Sequence, residues 1–192
     1  MASNTGNIKE TLEKNEIIGL VIPDIEYDEL LIRLAGAVSK YYNKTLYISI
    51  NKPCEQLAGR FGKSGIDAGK FMFIDCITRT TKPAQSTKNC IYVSSPKALH
   101  EIHEAIIEAV NKNRIDVAII DSPSSLLMYY EHMDVLKFLH LLMAKLIISS
   151  CKGILPFQKE SSGSLRRSVE MFTDIAAGLY IVETVLKIRT LE

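Results

Sequence analysis

The sequence predicts an α/β fold in three layers, a mostly parallel sheet with helices on both faces. Three observations predict it. Short apolar runs alternate with longer stretches at helical spacing along the whole chain, the pattern of repeated strand–helix–strand units. The apolar runs are continuous rather than alternating, as strands covered on both faces are. One of them, DVAIID at 116–121, carries an unbroken apolar run at 117–120 and lies between two helical stretches.

Taken in order, residues 1–15 are polar and read as a lead-in, with 16–192 as one α/β domain. EIIGLVIP is the first strand, followed by YDELLIRLAGAVSKYY at helical spacing. TLYISI is the second strand, with CEQLAGRFGKS as its helix and Gly65 as the stop. KFMFID is the third, and Ile91 to Val93 a short fourth after the polar stretch 78–89. SPKALHEIHEAIIEAVNKN is the clearest helix: Ser95 suits its cap, Pro96 its first position, and Leu99, Ile102, Ile106 and Val110 share one face. After DVAIID come a long helix from about 134 to 150 and the strand GILPF. QKESSGSLRRS reads as an exposed, mobile loop, SVEMFTDIA as a helix, and GLYIVETVLKIRT as an edge strand or hairpin.

Composition narrows the function classes. With 192 residues the chain has room for a sizeable core, and 47% apolar against 23% charged residues excludes disorder. A net charge of +1 gives no global attraction to nucleic acid or membrane. Cys54, Cys76, Cys90 and Cys151 are scattered without C-x-x-C spacing, so neither a metal site nor a redox motif is expected from them. The N-terminal stretch has no apolar signal region, and the longest apolar run, LHLLMAKLII, is too short to span a bilayer. A reduced, cytoplasmic protein without membrane contact is expected.

In an open parallel sheet, ligands bind beyond the carboxyl ends of the strands. The residues there are Pro23, Asp24 and Glu26; Asn51, Lys52 and Glu55; Asp75; Asp121 and Ser122; and Gln158, Lys159 and Glu160. Asp121 is the first candidate. At the tip of DVAIID it could hold a magnesium ion or its waters; more commonly such a residue caps the next helix through the Ser124 or Ser125 amides.

The order of these pieces resembles the RecA superfamily, in particular its KaiC-like and archaeal RadA-like ATPases. TLYISINKPCEQLAGRFGKSGID is similar to that branch's second strand and helix, KFMFID to the following strand, and IDVAIIDSPSSLL to the Walker B strand with Asp121 and Ser122 at its end. The helix–Gly153–strand unit and TDIAAGLYIVE resemble the last core strands. The resemblance covers about 17–190 and implies an ATP and magnesium site built on a glycine-rich phosphate loop.

The chain departs from that pattern where the phosphates would lie. IPDIEYDELLIRLA has no glycine, lysine, serine or threonine, and it sets Asp24, Glu26, Asp28 and Glu29 in their place. After the second strand stand Asn51 and Lys52, where the family's general base is expected, and Glu55 is a weak substitute. No catalytic residue, no metal site and no cofactor are therefore expected, and ATP should bind weakly or not at all. His100 and Glu104, at i and i+4, read as a surface pair. Lys159, Arg166 and Arg167 could contact a partner or nucleic acid, although so few cations give little phosphate affinity. The function expected is a non-catalytic, regulatory or scaffolding RecA-like module acting through a protein partner or as a homo-oligomer. The alternatives are a nucleotide-binding ATPase with an atypical loop, or a DNA-associated accessory protein.

Overall fold

Continuous β-branched and aromatic runs form strands, and the amphipathic stretches between them cover both faces of the sheet. The structure is a computed structural model describing residues 5–160, 163–182 and 185–190. Its strands are β1 (Thr5–Gly6), β2 (Ile17–Ile22), β3 (Thr45–Ser49), β4 (Phe71–Asp75), β5 (Cys90–Tyr92), β6 (Val117–Asp121), β7 (Lys152–Gln158), β8 (Ile175–Val182) and β9 (Val185–Thr190). Its helices are α1 (Ile8–Lys14), α2 (Tyr27–Tyr41), α3 (Cys54–Lys63), α4 (Leu99–Asn113), α5 (His132–Ile148) and α6 (Gly163–Glu170).

All nine strands form one sheet in the order β1-β9-β8-β2-β7-β6-β3-β4-β5. From β8 through β2 to β5 every pairing is parallel. The antiparallel β8–β9 hairpin closes one edge, with β1 added beyond it. DVAIID is an interior strand, paired with β3 on one side and β7 on the other. Alternate residues leave a strand on opposite faces. Leu46 and Ile48 of β3 accordingly join one core with α4, α5 and α6, while Tyr47 joins the other with α1, α2 and α3. These are the three layers. Gly65, at φ +70°, ends α3 as the sequence predicts.

Three expectations need correction. Residues 5–14 are not a lead-in. Ile8 and Leu12, four apart on α1, are buried against α2 and β9, and β1 pairs with β9. The polar residues between them hid a single-turn apolar stripe. The fourth helix begins at Leu99 rather than Pro96. The Ser95 hydroxyl accepts from the Lys97 amide at 3.0 Å, closing a local turn that competes with helix initiation. The stretch 158–168 is not a loop throughout. Gln158 ends β7, and α6 buries Leu165 and Val169, four residues apart. Ser161 and Ser162 lie outside the described residues. The helix expected over 168–176 is displaced accordingly, and β8 begins at Ile175. Among the described residues no helix is long and apolar enough to cross a membrane.

Candidate functional site

Parallel pairing in register brings strand tips side by side. Ser49 at the end of β3 is paired with Asp121 of β6 on one side and Asp75 of β4 on the other. Ile22 of β2 is likewise paired with Gln158 of β7. β2 and β3, consecutive in sequence, are separated in the sheet by β7 and β6, so the chain changes direction here. Such a switch point is where α/β folds place a ligand crevice.

Asp121 is the centre of this region, and it is buried. The Tyr47 hydroxyl, from the neighbouring strand, donates to its Oδ2 at 2.8 Å. The Tyr27 hydroxyl, from the first turn of α2, lies 3.4 Å from Oδ1 and 3.3 Å from the Pro156 carbonyl. Lys52 Nζ lies 3.6 Å from Oδ2 and donates to Asp28 Oδ1 at 2.7 Å. Arg60 of α3 reaches Asp28 Oδ2 at 3.2 Å. Arg60, Asp28, Lys52 and Asp121 thus alternate in sign and tie α3, α2 and the tips of β3 and β6 together. Asp121 does not cap the turn that follows. The 3-10 helix Pro123–Met128 starts from Ser122, which makes no side-chain cap, and the Ser125 amide donates to the Ser122 carbonyl; the Asp121 carboxylate faces the tyrosines and Lys52 instead.

The electrostatics follow from burial. Desolvation raises the Asp121 carboxyl above the ordinary range, against the opposing effects of Lys52 and the Tyr47 hydrogen bond. Burial, then the Asp121 charge, pushes both Tyr27 and Tyr47 well up, so both stay protonated donors. For Asp28 burial also acts upward, but the Lys52 hydrogen bond, the Lys52 charge and Arg60 outweigh it and leave the group below its usual value.

The other tip residues are placed as follows. Asn51 donates through Nδ2 to Ser125 Oγ, which lies 3.0 Å from Ser122 Oγ. The Asp24 amide donates to Glu160 Oε2 at 2.9 Å, and the Glu160 amide to Asp24 Oδ1 at 3.1 Å, a reciprocal clasp between the tips of β2 and β7. Pro23 precedes the 3-10 turn Asp24–Glu26, and Glu26 is exposed. Glu55 is exposed and pairs with Lys82 at 3.3 Å, away from Asp121. Asp75 is buried and accepts four hydrogen bonds. Lys159 is exposed, its amide bonded to the Ile22 carbonyl. On α6, Arg167 is exposed, whereas Arg166 is partly buried with Nε 3.6 Å from Glu170. His100 lies 3.3 Å from Glu104, both exposed, as their spacing predicts.

A family model described as "ATPase: KaiC" matches residues 34–190. The chain belongs to the KaiC ATPase family. No curated protein matches the sequence. The KaiC match begins at Leu34, downstream of the tip segment 22–33 that carries Asp24, Tyr27 and Asp28.

Sequence reasoning found Asp121 and missed its company. Tyr47 and Tyr27 were read only as parts of the strand TLYISI and of the helix that starts YDELL, and Lys52 was noted for being no base rather than for being a counter-ion. The signal that could have found Tyr47 was register, since it pairs with Ile119, two residue pairs below Asp121 and therefore on the same face. Lys52 and Asp28 are 24 residues apart, and no local spacing connects them. Cys54 and Cys90, judged too scattered to cooperate, have sulfurs 2.7 Å apart.

Proposed function

We propose that this KaiC-family domain works without turning over ATP, as a regulatory or scaffolding module that acts through protein partners. One observation carries the reading. Lys52 lies between Asp121 and Asp28, at 3.6 and 2.7 Å, so the chain's own cation stands where a metal bound to Asp121 would stand. Magnesium takes oxygen ligands in a near-octahedral shell. To reach Asp121 Oδ2 it would have to displace Lys52 and break the Tyr47 bond, and at Oδ1 it would meet the Tyr27 hydroxyl. The surroundings fit a triphosphate no better. Such a group needs several amide donors, a lysine and the metal together, and the segment after β2 supplies Asp24, Glu26, Asp28 and Glu29 with no glycine or lysine. The residues present therefore do not fit magnesium-ATP. The partner role draws on exposed apolar surface, which includes Leu141, Ile147 and Ile148 on α5 and Met171 just beyond α6.

The test is titration calorimetry with magnesium-ATP, together with a turnover assay on the protein and on Asp121→Asn. No binding heat and no turnover are expected from either. Micromolar binding, or turnover that disappears in Asp121→Asn, overturns the non-catalytic reading. The partner role is tested by mild recovery of the protein from its source cells. A stoichiometric companion lost in Leu141→Glu, Ile148→Glu is expected. A salt-sensitive shift with duplex DNA that needs Lys159 and Arg167 would replace the protein partner by nucleic acid.

A further inference from the structure

Away from the Asp121 network, two cysteines far apart in sequence meet under the edge of the sheet. Cys54 is the first residue of α3, and Cys90 is the first residue of β5. β5 pairs with β4, where Cys90 is opposite Phe73 and Tyr92 opposite Asp75. The Cys54 amide donates to Asp75 Oδ2 at 2.7 Å, which fixes the start of α3 against the tip of β4. The two sulfurs lie 2.7 Å apart, and the Tyr92 hydroxyl is 3.1 Å from Cys54 Sγ. Each cysteine is 5% exposed. Two sulfurs at this separation are inside ordinary non-bonded contact, and a small inward movement brings them to the disulfide distance of about 2.05 Å.

We infer that Cys54 and Cys90 are a dithiol that closes into a reversible disulfide, making this edge of the sheet a site of oxidative modification. The donor set favours a disulfide over a metal ion. Asp75 is the carboxylate within reach of both sulfurs. Its Oδ1 already accepts the Ile77 and Thr78 amides, and its Oδ2 the Cys54 amide and the Thr78 hydroxyl. A carboxylate holding four donors is a poor third ligand. Around tetrahedral zinc, with Zn–S of about 2.3 Å, two sulfurs stand roughly 3.8 Å apart, well beyond the separation here.

The two thiols differ in readiness to react. The hydrogen bond from Cys90 lowers the Cys54 thiol below its ordinary value, and Tyr92 adds to this against the effect of burial. That same bond, then burial, raises Cys90. Burial raises Cys76 well above the ordinary range and Cys151 to about 12. Cys54, at a helix N-terminus, is therefore the attacking thiolate.

With oxidised glutathione as the oxidant, the Cys54 thiolate attacks one glutathione sulfur. The glutathione S–S bond breaks and one glutathione thiolate leaves. Cys90 then loses its proton and attacks the Cys54 sulfur, displacing the second glutathione. Two protein thiols are oxidised, one small disulfide is reduced to two thiols, and the protein's protons pass to those thiols. The new bond ties the start of α3, two residues after Lys52, to β5 and closes the loop 54–90.

The full chain is incubated in glutathione buffers of graded ratio, quenched with acid, alkylated and mapped without reduction. The expected result is a single Cys54–Cys90 linkage and a protein lighter by two hydrogens, restored by dithiothreitol. The oxidised form should unfold at higher urea than the reduced form. Cys54→Ser and Cys90→Ser should lose the linkage, and Cys90→Ser should accumulate a glutathione adduct on Cys54. Linkage through Cys76 or Cys151 overturns the proposal. So does separate glutathionylation of Cys54 and Cys90 in the unsubstituted protein. Stoichiometric zinc that blocks alkylation of both thiols and prevents the linkage overturns it in favour of a metal site.

Discussion

At the scale of single residues, Lys52 joins two carboxylates whose environments push them in opposite directions. Asp121 is buried and raised, so the folded protein holds its proton more tightly than the unfolded chain does. Its contribution to stability is fully present below the unfolded value of about 3.9 and is lost as pH rises through the higher folded value. Asp28 is lowered, so its contribution is present above about 3.9 and is lost as pH falls through its folded value. Asp121→Asn removes the first dependence and leaves the second. Urea unfolding at a series of pH values should show the variant gaining on the parent as pH rises above about 4. A constant difference would mean that the carboxyl is not perturbed. Lys52→Met leaves the Asp121 charge buried beside two tyrosines without its cation. A loss of about 2 kcal/mol is expected, less than for a fully buried pair because Lys52 is partly exposed. In the Asp121→Asn background the same change should cost clearly less, and a double-mutant cycle reads the difference. Equal costs in the two backgrounds would show that Lys52 acts through Asp28 alone.

At the scale of elements, the packing of α1 and the close approach of α5 to β7 call for different side-chain volumes. Leu12 is fully buried on α1, in the core that α2 and β9 share. Leu12→Ala should destabilise by about 3 kcal/mol, as removal of a buried leucine side chain does when its site cannot collapse. Gly153 shows the reverse constraint. A Cβ there would stand 2.6 Å from Ile17 Cδ1 and 3.1 Å from Leu146 Cδ1. Both atoms are the ends of flexible side chains, so Gly153→Ala should cost only about 1 kcal/mol through repacking. Chemical denaturation of both variants checks the order. A smaller loss at Leu12 than at Gly153 would mean that α1 is loosely docked, closer to the lead-in its polar residues imply.

For the whole molecule, stability should grade from the centre of the sheet to its edges. β6 lies between β7 and β3 and contributes alternate residues to both cores. β5 is a three-residue strand at one edge, and β1 has two residues at the other. Amide hydrogen exchange should therefore be slowest in Val117 to Ile120 and fastest in β5 and β1. Comparable rates in β6 and β5 would refute a single graded unit. Oxidation of the Cys54–Cys90 pair should slow exchange in β5 selectively.

The chain by itself determined the layered α/β class, the interior position of DVAIID, the stop at Gly65 and the place of Asp121 at a strand tip. All of these rest on local patterning, where periodicity, β-branching and glycine act over a few residues. Tertiary structure alone decided which groups Asp121 meets. Its partners Tyr27, Tyr47 and Lys52 lie between 69 and 94 residues away in sequence. They meet because parallel strands pair in register across crossover helices. The burial of α1, the helix over 163–170 and the meeting of Cys54 with Cys90 were hidden for a related reason. Short amphipathic pieces carry too little apolar signal to be seen until a neighbouring layer covers them, and sulfur–sulfur proximity is set by strand order, which no spacing along the chain encodes.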